Sequence, residues 1–153
     1  MCYDDNARPP LPPGVTGKAS GAEIELTASD GTRFAAYDAR PDGAAIAQVL
    51  IMPDIRGLHQ FYKELALRFA ESGIAAIAVD YFGRTAGIGS RDESFQWQPH
   101  VEQITFPGIV ADARAALAHT GSKLPAFTVG FCIGGTLSFL AGTSDLPLAG
   151  VIG

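Results

Sequence analysis

The sequence predicts an α/β fold: a mostly parallel sheet with helices on both faces, entered through an N-terminal antiparallel hairpin. Three observations predict it. The runs AIAQVLIMP (45–53), IAAIAV (74–79), AFTVGF (126–131) and LAGVIG (148–153) are too continuously apolar for half-exposed strands and read as strands covered on both sides. Segments with helical periodicity alternate with them, the order that builds a parallel sheet. Ahead of these, AEIELTASDGTRFAAYDA alternates apolar and polar residues on either side of Ser29-Asp30-Gly31, the pattern of a hairpin closed by a tight turn.

Residues 1–20 carry RPPLPPG and little apolar content. Proline lacks the N–H that helices and sheet ladders need, so this segment reads as an extended arm, either docked or a disordered tail. Residues 21–153 then form one domain-forming unit. After the first long apolar strand, Leu58, Phe61, Tyr62, Leu65 and Phe69 fall on one helical face and Lys63, Glu64, Arg68 and Glu71 on the other. Gly73 ends that helix. Residues 81–100 read as a Gly-rich polar loop holding the only tryptophan, Trp97. A second helix is predicted near 107–119 from the spacing of Ile109, Val110, Ala113 and Leu117, and a third over IGGTLSFLAG.

The 153 residues are 47% hydrophobic, 18% charged and 9% aromatic, the balance of a single soluble globular domain. No apolar run reaches the roughly 18 residues of a membrane span, so no membrane partner is expected. The start, MCYDDNARPP, has no apolar h-region, which makes a cytoplasmic location the expectation. A net charge of −5 without a Lys/Arg cluster argues against nucleic acid. Cys2 and Cys132 are the two cysteines. They could pair, but in a reducing compartment both read as free thiols. No CxxC and no Cys/His pairing at zinc spacing occurs, so neither a metal nor an organic cofactor is expected.

The chemistry concentrates in FTVGFCIGG, where an apolar strand meets Gly130-Phe131-Cys132-Ile133-Gly134 and a helix follows. A G-x-nucleophile-x-G corner between strand and helix is the nucleophile elbow of α/β-hydrolases. Its nucleophile takes a strained backbone conformation, and side chains at the flanking glycines would collide with neighbouring elements. The corner exposes the reactive atom at the C-terminal edge of the sheet, where such folds bind ligands. A thiol there meets the positive end of a helix, which favours the attacking thiolate. The competing reading is an inert buried cysteine.

VLIMPDIRGLHQFYKELALRFAESGIAAIAVDYFGR together with VGFCIGG resembles the dienelactone hydrolase (carboxymethylenebutenolidase) family over essentially the whole chain. MCYDDNARPPLPP and QPHVEQITFPGIVADARAAL resemble its actinobacterial-type members. The resemblance implies an α/β-hydrolase-like fold in which Cys132 attacks the carbonyl of a lactone or ester to give an acyl-enzyme. It implies an oxyanion site made by the backbone N–H groups of Ile133 and Ile55, with Gly130, Gly134 and Gly135 shaping the elbow. Asp54 falls where the family has a glutamate that contacts the resting thiol; one methylene shorter, it reads equally as a turn residue. Arg84, in DYFGR, matches an arginine that grips the substrate carboxylate, against the alternative of a surface arginine. The implied partner is thus a small, carboxylated lactone or ester. Phe95 and Trp97 either wall the pocket or pack on the domain.

A nucleophile of this kind needs a base and the base an orienting acid, in the order nucleophile, acid, histidine. Positions 133–153, the 21 residues after Cys132, hold one acid, Asp145, in the turn TSDLP, and no histidine. His119 reads as a helix C-terminal residue, His100 as ordering a loop or starting a helix, and His59 as a surface or pocket-wall residue and the one conceivable stand-in. The resemblance implies about two further strand–helix units, so the chain reads as the N-terminal part of such a protein, with little or no turnover expected from these residues alone. Two rivals remain: a thiol redox sensor using Cys132, with Cys2 as its partner, and a non-catalytic remnant that binds through an exposed sheet edge.

Overall fold

The structure, a computed structural model, describes Asp4 and residues 6–15, 17–121 and 123–153. In chain order the elements are β1 (Ala19–Thr27), β2 (Arg33–Pro41), β3 (Ala47–Met52), α1 (Gln60–Glu71), β4 (Ile74–Val79), α2 (Gly83–Ala86), α3 (Gln98–Val101), α4 (Phe106–Thr120), β5 (Ala126–Gly130), α5 (Ile133–Gly142) and β6 (Leu148–Ile152). They build one six-stranded sheet in the order β1-β2-β4-β3-β5-β6. The hairpin β1–β2 and the β2–β4 pair are antiparallel; β3 pairs in parallel with β4 and β5, and β5 with β6. The predicted fold class holds: an α/β-hydrolase-like sheet with an antiparallel hairpin at one side.

Strand alternation assigns the two faces. On β3, Leu50 and Met52 point to the layer of α4 and α5, where Ile109, Ala113, Ala116, Leu137 and Ala141 are buried. Val49 and Ile51 point the other way, onto Phe61, Tyr62, Ala66 and Ala70 of α1. A strand sandwiched between helix layers has no polar face, which is why these strands read as unbroken apolar runs.

The stripe of α1 is rotated from the predicted one. Leu58 precedes the helix, and the sheet receives Tyr62, Ala66 and Ala70. Leu65 and Phe69 face an apolar groove shared with Pro10–Pro13 of the arm. Alanines admit the helix close to the strands, and the larger apolar residues cover its flank. The arm is therefore docked over its described residues: Arg8 pairs with Glu64 at 2.8 Å, and a Cβ on Gly17 would overlap the Glu71 carbonyl oxygen. Cys2 lies outside the described residues.

Helix ends follow capping chemistry. The Thr105 hydroxyl accepts the Gly108 N–H at the start of α4, and Gly121 (φ 60°) closes it. The loop predicted over 81–100 contains the single turns α2 and α3. At the outer strand β6, Ile152 and the neighbouring α5 residues Phe139 and Leu140 are exposed.

Candidate active site

Cys132 joins β5 to α5 with φ 57° and ψ −121°. It is the one non-glycine residue with positive φ among the described residues. That region is sterically costly for a side-chain-bearing residue and persists only where the surroundings impose it. The surroundings are visible. A Cβ on Gly130 would overlap the backbone of Gly134, and one on Gly134 would overlap the carbonyl oxygens of Met52 and Pro53. Gly135 faces the outer strand's end, with its Cβ position 3.3 Å from Gly153 Cα. Phe131 N–H donates to Met52 O at 3.1 Å, seating the corner on the end of β3. Cys132 is exposed and in no disulfide.

The loop after β3 runs beside this corner. Its Asp54 is fully buried, and its carboxylate accepts from Arg56: the backbone N–H at 2.9 Å, Nε at 3.2 and 3.3 Å, and a terminal guanidinium nitrogen at 3.1 Å. The Tyr81 hydroxyl reaches the carbonyls of Pro53 (2.9 Å) and Asp54 (2.8 Å), fixing the loop to the end of β4. Burial, reinforced by Asp54, holds the phenols of Tyr62 and Tyr81 well above their ordinary range. The Tyr62 hydroxyl is buried in this network without a hydrogen-bond partner among the described residues. Asp54 thus combines the turn role and a buried ion pair. Arg56 and Tyr81 were not foreseen, and Tyr62 was foreseen only as part of the apolar face of α1; the D-x-R spacing at a strand end was the available signal for Arg56.

The N–H groups of Ile55 and Ile133 donate to no acceptor among the described residues. One belongs to the loop after β3 and the other to the first residue of α5, and the packing of Gly134 on Met52 and Pro53 holds the two segments together. A cleft of about 440 Å³ opens along the loop, lined by Asp54, Ile55 and Arg56 on one wall and by Phe95 and Trp97 on the other. The two aromatics both pack on the core and wall the cleft. A larger cleft of about 600 Å³, between Gln48, Leu117, Leu124 and Leu146, lies at the opposite edge of the sheet, remote from the corner.

Arg84 does not line the cleft beside Ile55. Its guanidinium holds both carboxylate oxygens of Asp112, at 2.8 and 2.9 Å, and reaches Asp30 at 2.6 Å and Thr32 at 3.2 Å. That binds the hairpin turn, α2 and α4 into one network. The charge of Arg84, through its hydrogen bond, lowers the exposed Asp30 to about 2. Burial outweighs the same arginine at Asp112 and raises that carboxyl to about 6. Asp80, at the end of β4, is pushed up to about 6 by burial against the pull of Arg91, 2.9 Å away.

Both raised groups take up protons on folding between the unfolded value of 3.8 and about 6. Their contribution to stability is full below 3.8 and is lost as pH rises through about 6. Each group is worth on the order of 3 kcal/mol. Urea-unfolding midpoints are expected to fall as pH rises from about 4 to about 6.5; a midpoint that rises over this interval contradicts the assignment.

The histidines have other occupations. His59 Nδ1 accepts the Phe61 N–H and caps α1. His100 stacks on Phe95 (5.5 Å, 13°) and bonds Thr85 at 3.0 Å, ordering the loop as expected. His119 pairs with Asp38 at 3.1 Å. It sits where α4 ends beside Gln48, at the start of β3 and so at the far edge of the sheet. Asp145 pairs with Arg114 on the surface. Among the described residues no group of three or more His, Cys, Asp or Glu side chains could hold a metal ion, and no helix is long and apolar enough to cross a membrane.

The model of the dienelactone hydrolase family matches residues 34–153, which hold the sheet from β2 onward, the loop and the elbow. The chain belongs to the dienelactone hydrolase family. Among its curated relatives, the carboxymethylenebutenolidase of Rhodococcus opacus is 27% identical over 144 residues, covering 92% of this chain and 53% of that protein. The carboxymethylenebutenolidase of Pseudomonas putida is 27% identical over 126 residues, covering 76% and 53%. The solved structure named m3DLH superposes with a TM-score of 0.73 at 27% identity, over 88% of this chain and 58% of that one. A dienelactone hydrolase-like promiscuous phosphotriesterase from metagenomic libraries shares the fold (TM-score 0.73, 21% identity, 88% and 58% covered). This dienelactone hydrolase family chain spans about half the length of the curated relatives it matches.

Proposed function

We propose that the protein hydrolyses a lactone or carboxylic ester with Cys132 as nucleophile. The thiolate adds to the carbonyl carbon. The C–O bond then breaks, the alkoxide leaves with a proton, and the resulting thioester is cleaved by water to regenerate the thiol. The single observation that carries this reading is the positive φ of Cys132 at an exposed corner that Gly130 and Gly134 enforce. The two undonated N–H groups of Ile55 and Ile133 support a place for the oxyanion beside it. Asp54, held by Arg56, positions the loop that presents Ile55. A nucleophilic thiol serves in a reducing compartment, which favours the cytoplasm. Alkylation of Cys132 with iodoacetamide is expected to abolish the stoichiometric release of p-nitrophenolate from p-nitrophenyl acetate; undiminished release would refute the role.

For a carboxylated substrate, the family motif nominates Arg84 as the anchor. Asp30, its exposed partner, is the contact a substrate carboxylate would exchange with. Arg84→Gln is expected to raise KM for anionic esters at least tenfold while leaving uncharged esters within about twofold, the loss of one charge-assisted contact. It also strands Asp112 in its buried position, at a cost of about 3 kcal/mol. Equal effects on anionic and neutral esters would restrict Arg84 to its structural network.

A further inference from the structure

Tyr81, buried just past β4, shares its hydroxyl proton between two carbonyl oxygens, those of Pro53 at 2.9 Å and Asp54 at 2.8 Å. The Asp54 oxygen takes a second donor, the Gly57 N–H at 3.0 Å. That carbonyl belongs to the same peptide unit as the Ile55 N–H. The unit is planar and trans, so its C=O and N–H point in opposite directions. Two donors on the oxygen therefore fix the direction of the N–H, which leads away from Tyr81 and meets no acceptor among the described residues. Donation to the oxygen also polarises the unit and strengthens its N–H as a donor. The Pro53 carbonyl is shared with the elbow: a Cβ on Gly134 would overlap it, so the first turn of α5 packs on the oxygen that Tyr81 binds. Tyr81 thus ties the peptide of Ile55 to the turn that carries Ile133. Burial, with Asp54, Tyr62, Asp80 and Cys132 adding to it, keeps the phenol protonated and able to donate.

We propose that Tyr81 is a positioning residue for the ester reaction: through the Pro53 and Asp54 carbonyls it aims the Ile55 N–H, beside that of Ile133, at the oxyanion formed on Cys132. The inference rests on the hydrolase reading. Tyr81 touches no reacting atom, and its effect is confined to steps that develop an oxyanion.

Two reactions of the same thiolate separate this role from packing. Attack on p-nitrophenyl acetate forms an S–C bond at the carbonyl carbon and moves the C=O electron pair onto oxygen, which the two N–H groups receive. Displacement of iodide from iodoacetamide forms an S–C bond at a saturated carbon and develops no oxyanion. Tyr81→Phe is expected to slow the p-nitrophenolate burst at least about tenfold and to leave the alkylation rate of Cys132 within about twofold. Gln48→Leu removes buried hydrogen bonds to Leu124 and Thr120 at the far edge of the sheet; it is the control for lost stability and should change neither rate. Equal slowing of both reactions in Tyr81→Phe, or an unchanged burst, overturns the proposal. In the 15N-labelled wild type, addition of a trifluoromethyl ketone to Cys132 forms a stable oxyanion and is expected to move the Ile55 and Ile133 amide protons downfield. An unmoved Ile55 amide overturns the proposal whether or not the variant folds. A wild type that is alkylated at Cys132 but gives no burst refutes the hydrolase reading itself, and this inference with it.

Discussion

Replacing Cys132 by alanine is expected to abolish the stoichiometric burst of p-nitrophenolate from p-nitrophenyl acetate, leaving only the uncatalysed release. The reason is positional as well as chemical. The corner holds its side chain at an unfavourable φ of 57° and in an exposed place, so no neighbouring group inherits the role. Fold stability should be nearly unchanged, since an exposed thiol contributes little burial. Cys132→Ser keeps the geometry and tests the atom: a weaker nucleophile on the same corner should retain trace reactivity. A variant that loses activity and unfolds together would point instead to a packing role.

The second large effect is expected at Gly134. Alanine there places a methyl group onto the carbonyl oxygens of Met52 and Pro53, which are backbone atoms and cannot rotate away. Either α5 lifts from the end of β3 or the loop carrying Ile55 moves. Overpacking against backbone should destabilise the fold by about 3 kcal/mol or more, lowering Tm by about 6–12 °C for a domain of this size. Gly43, whose Cβ position meets nothing within 4 Å, is the control: Gly43→Ala should stay within about 0.5 kcal/mol. Thermal denaturation of both variants decides the matter, and equal stability would show that the corner is not sterically constrained.

What was legible in the sequence was whatever depends on local periodicity or on a motif's own stereochemistry. The parallel strands announced themselves because both faces of β3, β4 and β5 are covered, leaving continuous apolar runs. The elbow was legible because only glycine tolerates the positions at Gly130 and Gly134. The contacts that pattern cannot carry were missed. Arg56 reaches back two residues to Asp54, and nothing in a charge count separates that buried pair from a surface one. Tyr81 read as the first residue of a polar loop, yet its hydroxyl is tied to Pro53 and Asp54, 28 and 27 residues earlier in the chain. Arg84 could be placed by motif but not by partner, since Asp112 lies 28 residues away on α4. The rotated stripe of α1 was hidden because the proline arm supplies apolar cover for Leu65 and Phe69 that helical periodicity alone assigns to the core.

The account turns on one bond, the thioester at Cys132. Brief exposure to p-nitrophenyl acetate, acid quenching and peptide mapping by tandem mass spectrometry locate the transferred acetyl group. One acetyl on the Cys132 peptide, absent after iodoacetamide treatment, is the predicted result. Acetyl found on lysines or serines with Cys132 unmodified would contradict the central claim.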